Sequence, residues 1–214
     1  MPIKIDKREY RKIDAALMET RTADDGQMIV EGYATTFNAP YELWRDKDMT
    51  VNEQVDGHAF DETDRSDTIM QYDHEGPVFA RVSNGTLELM PDEHGLKVRA
   101  NLGGTERGRQ LFEEIKGGYT NKMSFGFTVA ADERKTTKDA DGHVTVLRTI
   151  TKIGKLYDVS AVSLPANDAT EISARTIGDG LIAEVLKEVQ AEEERLRKIG
   201  EIRKILKGEE DHDE

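Results

Sequence analysis

The segment Lys122-Met123-Ser124-Phe125-Gly126-Phe127-Thr128-Val129 has a strict period of two, with Met123, Phe125, Phe127 and Val129 on one face and Ser124, Gly126 and Thr128 on the other. That rhythm fits a strand and not a helix. The large apolar face belongs against a core, which leaves one small hydroxyl pointing away from it. Beside it, a glycine removes side-chain bulk where another backbone could lie. A strand of this kind is suited to offering Ser124 as a nucleophile to an extended peptide. The same alternation occurs on any strand with one wet face, so from these residues alone Ser124 reads first as an ordinary surface hydroxyl.

Short alternating runs recur around 28–34, 68–72, 85–89 and 95–102, with Asp92-Glu93-His94-Gly95 as a hairpin turn between the last two. One internal helix is predicted over Glu106 to Lys116: Thr105 is its N-cap, Leu111, Phe112 and Ile115 form its apolar stripe, and Gly117-Gly118 stops it. The polar stretch from Lys135 to Gly142 reads as a loop between paired strands, and 144–151 and 153–164 return to β character. The pattern predicts an α+β fold, an antiparallel β-barrel-like core with attached helices, and argues against a doubly wound α/β sheet. Residues 1–20 read as a peripheral arm with helical spacing in Ile13, Leu17 and Met18, and 21–177 as the main domain. Residues 178–214 read as an amphipathic helical tail with an acidic end, its apolar stripe interrupted at Glu192-Glu193-Glu194 and Gly200.

The net charge of −13 repels phosphate backbones and anionic membranes, and the basic residues form no segregated patch that would reverse this. The expected partners therefore include neither nucleic acid nor a membrane. With no cysteine, disulfides, thiolate metal sites and a cysteine nucleophile are excluded. No apolar stretch has signal-peptide or membrane-spanning length, so a soluble, unexported protein is expected.

A serine nucleophile needs a base and an orienting acid. His94 and His143 lie in turn-like sequence beside glycine, and His212 lies in the acidic tail. His74 stands at the end of the 68–72 strand, where a side chain is fixed by the strand yet faces a cleft. His58, in a surface turn, is its competitor. Asp158 lies in the best candidate for a buried strand, Leu156 to Leu164, and a carboxylate there requires a partner. That partner is either structural or an imidazole whose tautomer it would fix. Asp73-His74-Glu75 lacks the spacing of a zinc hydrolase, and Leu102-Gly103-Gly104-Thr105 lacks the lysine of a phosphate-binding loop, so no metal and no cofactor are expected.

Taken together, several blocks resemble one family, the prohead maturation proteases of tailed bacteriophages, distantly similar to the herpesvirus assembly proteases (assemblins). The blocks are Glu31-Gly32-Tyr33-Ala34-Thr35-Thr36-Phe37-Asn38, Gly57-His58-Ala59-Phe60, Asp73-His74 leading to Ala80-Arg81-Val82, and Gly85-Thr86-Leu87-Glu88-Leu89. They continue through Asp92-Glu93-His94-Gly95-Leu96, Gly117 to Phe127, and Leu156-Tyr157-Asp158-Val159-Ser160 to Pro165-Ala166-Asn167. Their order extends from about Ile29 to Thr170.

The resemblance implies a serine endopeptidase that works in the host bacterial cytoplasm, inside an assembling procapsid, cutting the major capsid protein precursor, its scaffold segment and itself. It implies Ser124 as nucleophile, His74 as general base and Asp158 as the third member, at a position where the family pattern more often has glutamate. Two further departures are Ala80, where the family often has glycine, and Asn167, where it often has tyrosine. Backbone donors at Ala166 and Asn167, in a turn imposed by Pro165, are candidates for an oxyanion hole, with Arg81 as a charged or water-mediated alternative. A homodimer is a possible state. The competing class is a catalytically silent procapsid assembly factor of the same fold. The tail beyond about Ile177 is expected either to deliver the enzyme to the procapsid or to dock permanently on the core.

Overall fold

The computed structural model describes residues 8–13, 18–23, 26–163 and 180–206. By compactness the chain divides into Met1–Ser173 and Ala174–Glu214. Among the described residues the first unit holds eleven strands in two sheets: β1 (Glu9–Ile13), β2 (Glu19–Thr22), β3 (Met28–Thr36), β4 (Tyr41–Arg45), β5 (Met49–Val55), β6 (Ile69–Tyr72), β7 (Glu75–Arg81), β8 (Leu87–Pro91), β9 (Gly95–Asn101), β10 (Lys122–Lys138) and β11 (Val144–Val162). Helix α1 (Glu106–Lys116) lies between β9 and β10 in the chain. In the second unit α2 (Leu181–Leu206) is one helix. It runs without a break through the three glutamates and Gly200, and it carries exposed Leu196 and Ile202 beside i,i+4 pairs such as Lys198 with Glu194.

Four strands form one sheet in the order β2-β3-β9-β8, all antiparallel. The other sheet has seven strands and is organised by β11. One edge of β11 pairs antiparallel with β10; the other pairs in parallel, first with β5 through Val144 to Ile150 and then with β6 through Asp158 to Ala161. The fold is α+β and mostly strand, as the sequence predicts, but the barrel expectation needs two corrections: the sheets do not close into a barrel, and the pairing is mixed rather than antiparallel. Two short strands share one long neighbour end to end, an arrangement that short-range alternation cannot reveal.

Helix α1 starts and stops where its sequence signals lie. Thr105 Oγ1 accepts from the Gly108 amide at 3.0 Å, and Leu111, Phe112 and Ile115 are buried. The core between the sheets is centred on Phe60, Phe125 and Phe127, the last two stacked at 4.5 Å. The Lys135–Gly142 segment is only partly a loop: β10 runs to Lys138, and the turn occupies the residues after it.

The N-terminal arm departs most from expectation. Residues Glu9–Ile13 are a strand, not a helical turn, and they pair antiparallel with β10 from Phe127 to Met123; Leu17 lies outside the described residues. A buried charge cluster ties this strand down. Arg11 Nε meets Glu53 Oε1 at 2.5 Å and its Nη2 meets Glu53 Oε2 at 3.0 Å. Arg148 Nη1 reaches Glu53 at 2.7 Å and Glu9 at 2.8 Å, its Nε reaches Asp132 at 2.6 Å, and the Tyr41 hydroxyl donates to Glu53 at 2.5 Å. Burial alone would raise the Glu53 carboxyl; Arg11 first and Arg148 after it, with their hydrogen bonds, hold it down at about 2.

Because the folded value lies below the ordinary 4.5, this carboxylate contributes stability that is complete above pH 4.5 and lost as pH falls through about 2. Glu53→Gln removes the shared carboxylate and leaves Arg11 on Glu9 and Arg148 on Glu9 and Asp132, so it is expected to destabilise the neutral protein by about 2–3 kcal/mol and to flatten the loss of stability over that acid window. Urea unfolding midpoints of both proteins across pH 2 to 7 check this.

Candidate active site

The β10–β11 register sets Ser124 opposite Ser160 and Gly126 opposite Asp158. Period two puts Ser160 on the same face of β11 as Asp158, and its hydroxyl donates to Asp158 Oδ1 at 2.8 Å. The same carboxylate oxygen lies 2.5 Å from His74 Nδ1, and His74 Nε2 lies 2.6 Å from Ser124 Oγ. An acceptor at Nδ1 fixes the proton there and turns the lone pair of Nε2 toward the serine.

His74 is delivered by a two-residue turn between β6 and β7, closed by the Tyr72–Glu75 pair. Both turn residues have positive φ, 48° at Asp73 and 63° at His74, as a tight hairpin matched to the strand twist requires. Neither is glycine or asparagine, so strain of roughly 1–3 kcal/mol is stored where the histidine must point. Asp73 offsets part of it: its carboxylate accepts from the Ser163 hydroxyl at 2.8 Å and the Ser163 amide at 3.2 Å, while its own amide donates to Ala161 O at 2.9 Å.

Both faces of the serine strand are covered. Ser124 is 0% exposed, and the His74 and Asp158 side chains are 5% and 4% exposed. On the side of Ser124 away from β11 lies β1, the edge strand paired with β10. The Tyr10 ring meets the His74 imidazole edge-on at 4.5 Å, and Ser124 Oγ donates to Arg11 O at 2.9 Å. One hydroxyl proton thus has two acceptors within reach, and while the Arg11 carbonyl holds it, Nε2 does not.

The Arg81 guanidinium lies on Asp67 at 2.6 Å. Ala166 and Asn167 lie outside the described residues. His58 is 86% exposed and bonded to Asp61, so the structure brings His74 and not His58 to Ser124. A cleft of about 700 Å³, lined by Tyr72, Glu75, Phe79, Arg107 and Glu114 among others, adjoins the histidine turn, but Ser124, His74 and Asp158 do not line it. Among the described residues no cluster of three or more potential metal ligands occurs, and no helix is long and apolar enough to cross a membrane. Sequence reasoning missed Tyr10, Arg11, Asp73 and Ser160. Of these only Ser160 carried a signal, its two-residue spacing from Asp158.

Gly126 is the second constraint on the site. A Cβ there would lie 2.4 Å from Asp158 Oδ2 and 2.8 Å from Tyr10 Cε1. Gly126→Ala is therefore expected to fold but to displace the Asp158 carboxylate from His74. The downfield proton resonance of an Asp-bound imidazole Nδ1–H should be present in the unaltered chain and lost in the variant.

The profile described as caudovirus prohead serine protease matches residues 16–181. No curated protein sequence matches the chain. Among solved structures, the capsid assembly protease of bacteriophage T4 is similar over 72% of this chain and 96% of its own, at 11% sequence identity and a TM-score of 0.42. The profile spans well over half of the 214 residues, and on that match the chain belongs to the caudovirus prohead serine proteases.

Proposed function

We propose that this chain is a serine endopeptidase of capsid maturation, with Ser124 as nucleophile, His74 as general base and Asp158 as the residue that orients it. The observation that carries this reading is the continuous hydrogen-bonded line Asp158–His74–Ser124, with both links at 2.6 Å or less. Ser124 Oγ attacks the scissile carbonyl and His74 Nε2 takes its proton, while Asp158 stabilises the imidazolium that forms. His74 then returns the proton to the leaving amine, the C–N bond breaks, and water activated by the same imidazole splits the acyl ester. The oxyanion hole is assigned to the backbone amides of Ala166 and Asn167; Arg81, the alternative, would first have to leave Asp67.

The family supports the prohead as the place of action and capsid and scaffold precursors as substrates. The position of β1 supports a self-directed cut, since an extended strand of the chain itself already pairs with β10 and brings a carbonyl to Ser124. Substrate would enter by taking β1's place, a strand addition to the freed edge of β10. Residues 21–177 are assigned as the protease domain and 178–214 as a tail that serves delivery.

The buried state of Ser124 favours a second reading, a silent assembly factor whose site never opens. Coexpression with the cognate capsid precursor separates the two. Ser124→Ala and His74→Ala should each abolish processing, a loss on the order of a millionfold in turnover, while Asp158→Asn retains more. Undiminished processing by Ser124→Ala would overturn the protease reading.

A further inference from the structure

Arg11 combines two features that a protease reads separately in a substrate. Its carbonyl is the one at Ser124 Oγ, 2.9 Å away. Its side chain is buried in a pocket matched to a guanidinium: Glu53 grips Nε and Nη2 with its two oxygens at 2.5 and 3.0 Å, Tyr41 holds the same carboxylate, and the Phe127 ring lies 5.7 Å from the guanidinium carbon. Its strand has the antiparallel pairing with β10 that an extended peptide would adopt. We propose that the Glu53 pocket is the specificity site of this enzyme, reading an arginine at the residue whose carbonyl is attacked, and that Arg11 is its resting occupant.

The pocket outlasts its occupant. When β1 leaves it takes one cation, Arg11, and one anion, Glu9, so the local charge is unchanged. Glu53 keeps Arg148 at 2.7 Å and the Tyr41 hydroxyl, and is not left as the unpaired buried carboxylate that would make emptying prohibitive. An incoming arginine restores the two-point grip. Lysine brings the charge without the fork, a neutral side chain leaves a carboxylate oxygen short of a donor, and glutamate is repelled. In the cut the C–N bond after the arginine breaks as the bond from its carbonyl carbon to Ser124 Oγ forms, and hydrolysis of that ester releases an arginine carboxylate.

The assignment rests on Ser124 being the nucleophile, and the test keeps the two apart. The full chain carrying Arg11→Ala and Ser124→Ala, with pocket vacated and turnover blocked, is titrated with a fluorescent peptide of the sequence Arg8 to Asp14 and with its twin bearing citrulline in place of the central arginine. The arginine peptide should bind about tenfold or more tightly, and adding Glu53→Gln should shrink that gap to about threefold or less. Equal affinities, or a gap that Glu53→Gln leaves untouched, overturn the assignment. If Arg11→Ala does not fold, the same peptides are compared as substrates of the unaltered chain: Ser124-dependent kcat/KM should favour arginine over citrulline about tenfold or more, and cleavage without preference overturns the assignment. Selective binding with no Ser124-dependent hydrolysis would leave the pocket standing and remove the nucleophile.

Discussion

The antiparallel register between β10 and β11 is the constraint from which the site follows. It sets Gly126 against Asp158 and Ser124 against Ser160, and a slip of one residue would turn Ser124 toward the phenylalanine core and Met123 and Phe125 toward the histidine. Several shifts in register interrupt this pairing between Gly126 and Asp132, but none falls between Ser124 and Gly126. The far edge of β11 then fixes the histidine. Pairing with β6 through Asp158 to Ala161 brings Tyr72 to the end of β11, and the next two residues turn His74 back over the carboxylate. One strand therefore supplies the acid and aligns both of its partners.

Charge buried on the other side of the same strands serves a different end. Glu53 and Arg148 are almost wholly withdrawn from water, and each carries more than one ionic partner. Such a cluster adds little net stability compared with apolar packing, because desolvating the charges offsets most of their attraction. Its geometry is exacting, however, and an N-terminal strand that brought no guanidinium to Glu53 would leave the cluster one donor short. Position and identity of β1 are specified together.

Much of this was legible in the sequence. The strands around Met28, Ile69, Leu87 and Gly95, the helix from Glu106 and the serine strand all show the periodicity of their final form, and Ser124, His74 and Asp158 stand out in the sequence by residue type and position. What was not legible depends on distant partners. Strand β1, Glu9-Tyr10-Arg11-Lys12-Ile13, has no apolar alternation to mark it; Arg11 goes inward only because Glu53, 42 positions away, is there to receive it. Strand β11 reads as two segments split near Lys152, yet the ladder carries through. The closure of a barrel is likewise a global property, and local alternation could not say that β5 and β6 would share one edge of β11.

The turn that carries His74 has a consequence for sequence variation in this chain. Its two residues are the whole of the connection between β6 and β7, and both ends are anchored: Tyr72 lies opposite Ala161 on β11 and opposite Glu75 across the hairpin. One added residue would shift the imidazole along the strand axis by roughly the rise of a residue, more than 3 Å, and carry it beyond reach of both oxygens it now joins. Long insertions elsewhere cost only loop entropy. At Asp73-His74 the length of the connection is itself part of the chemistry, and at Asp73 a change of residue costs far less than a change of number.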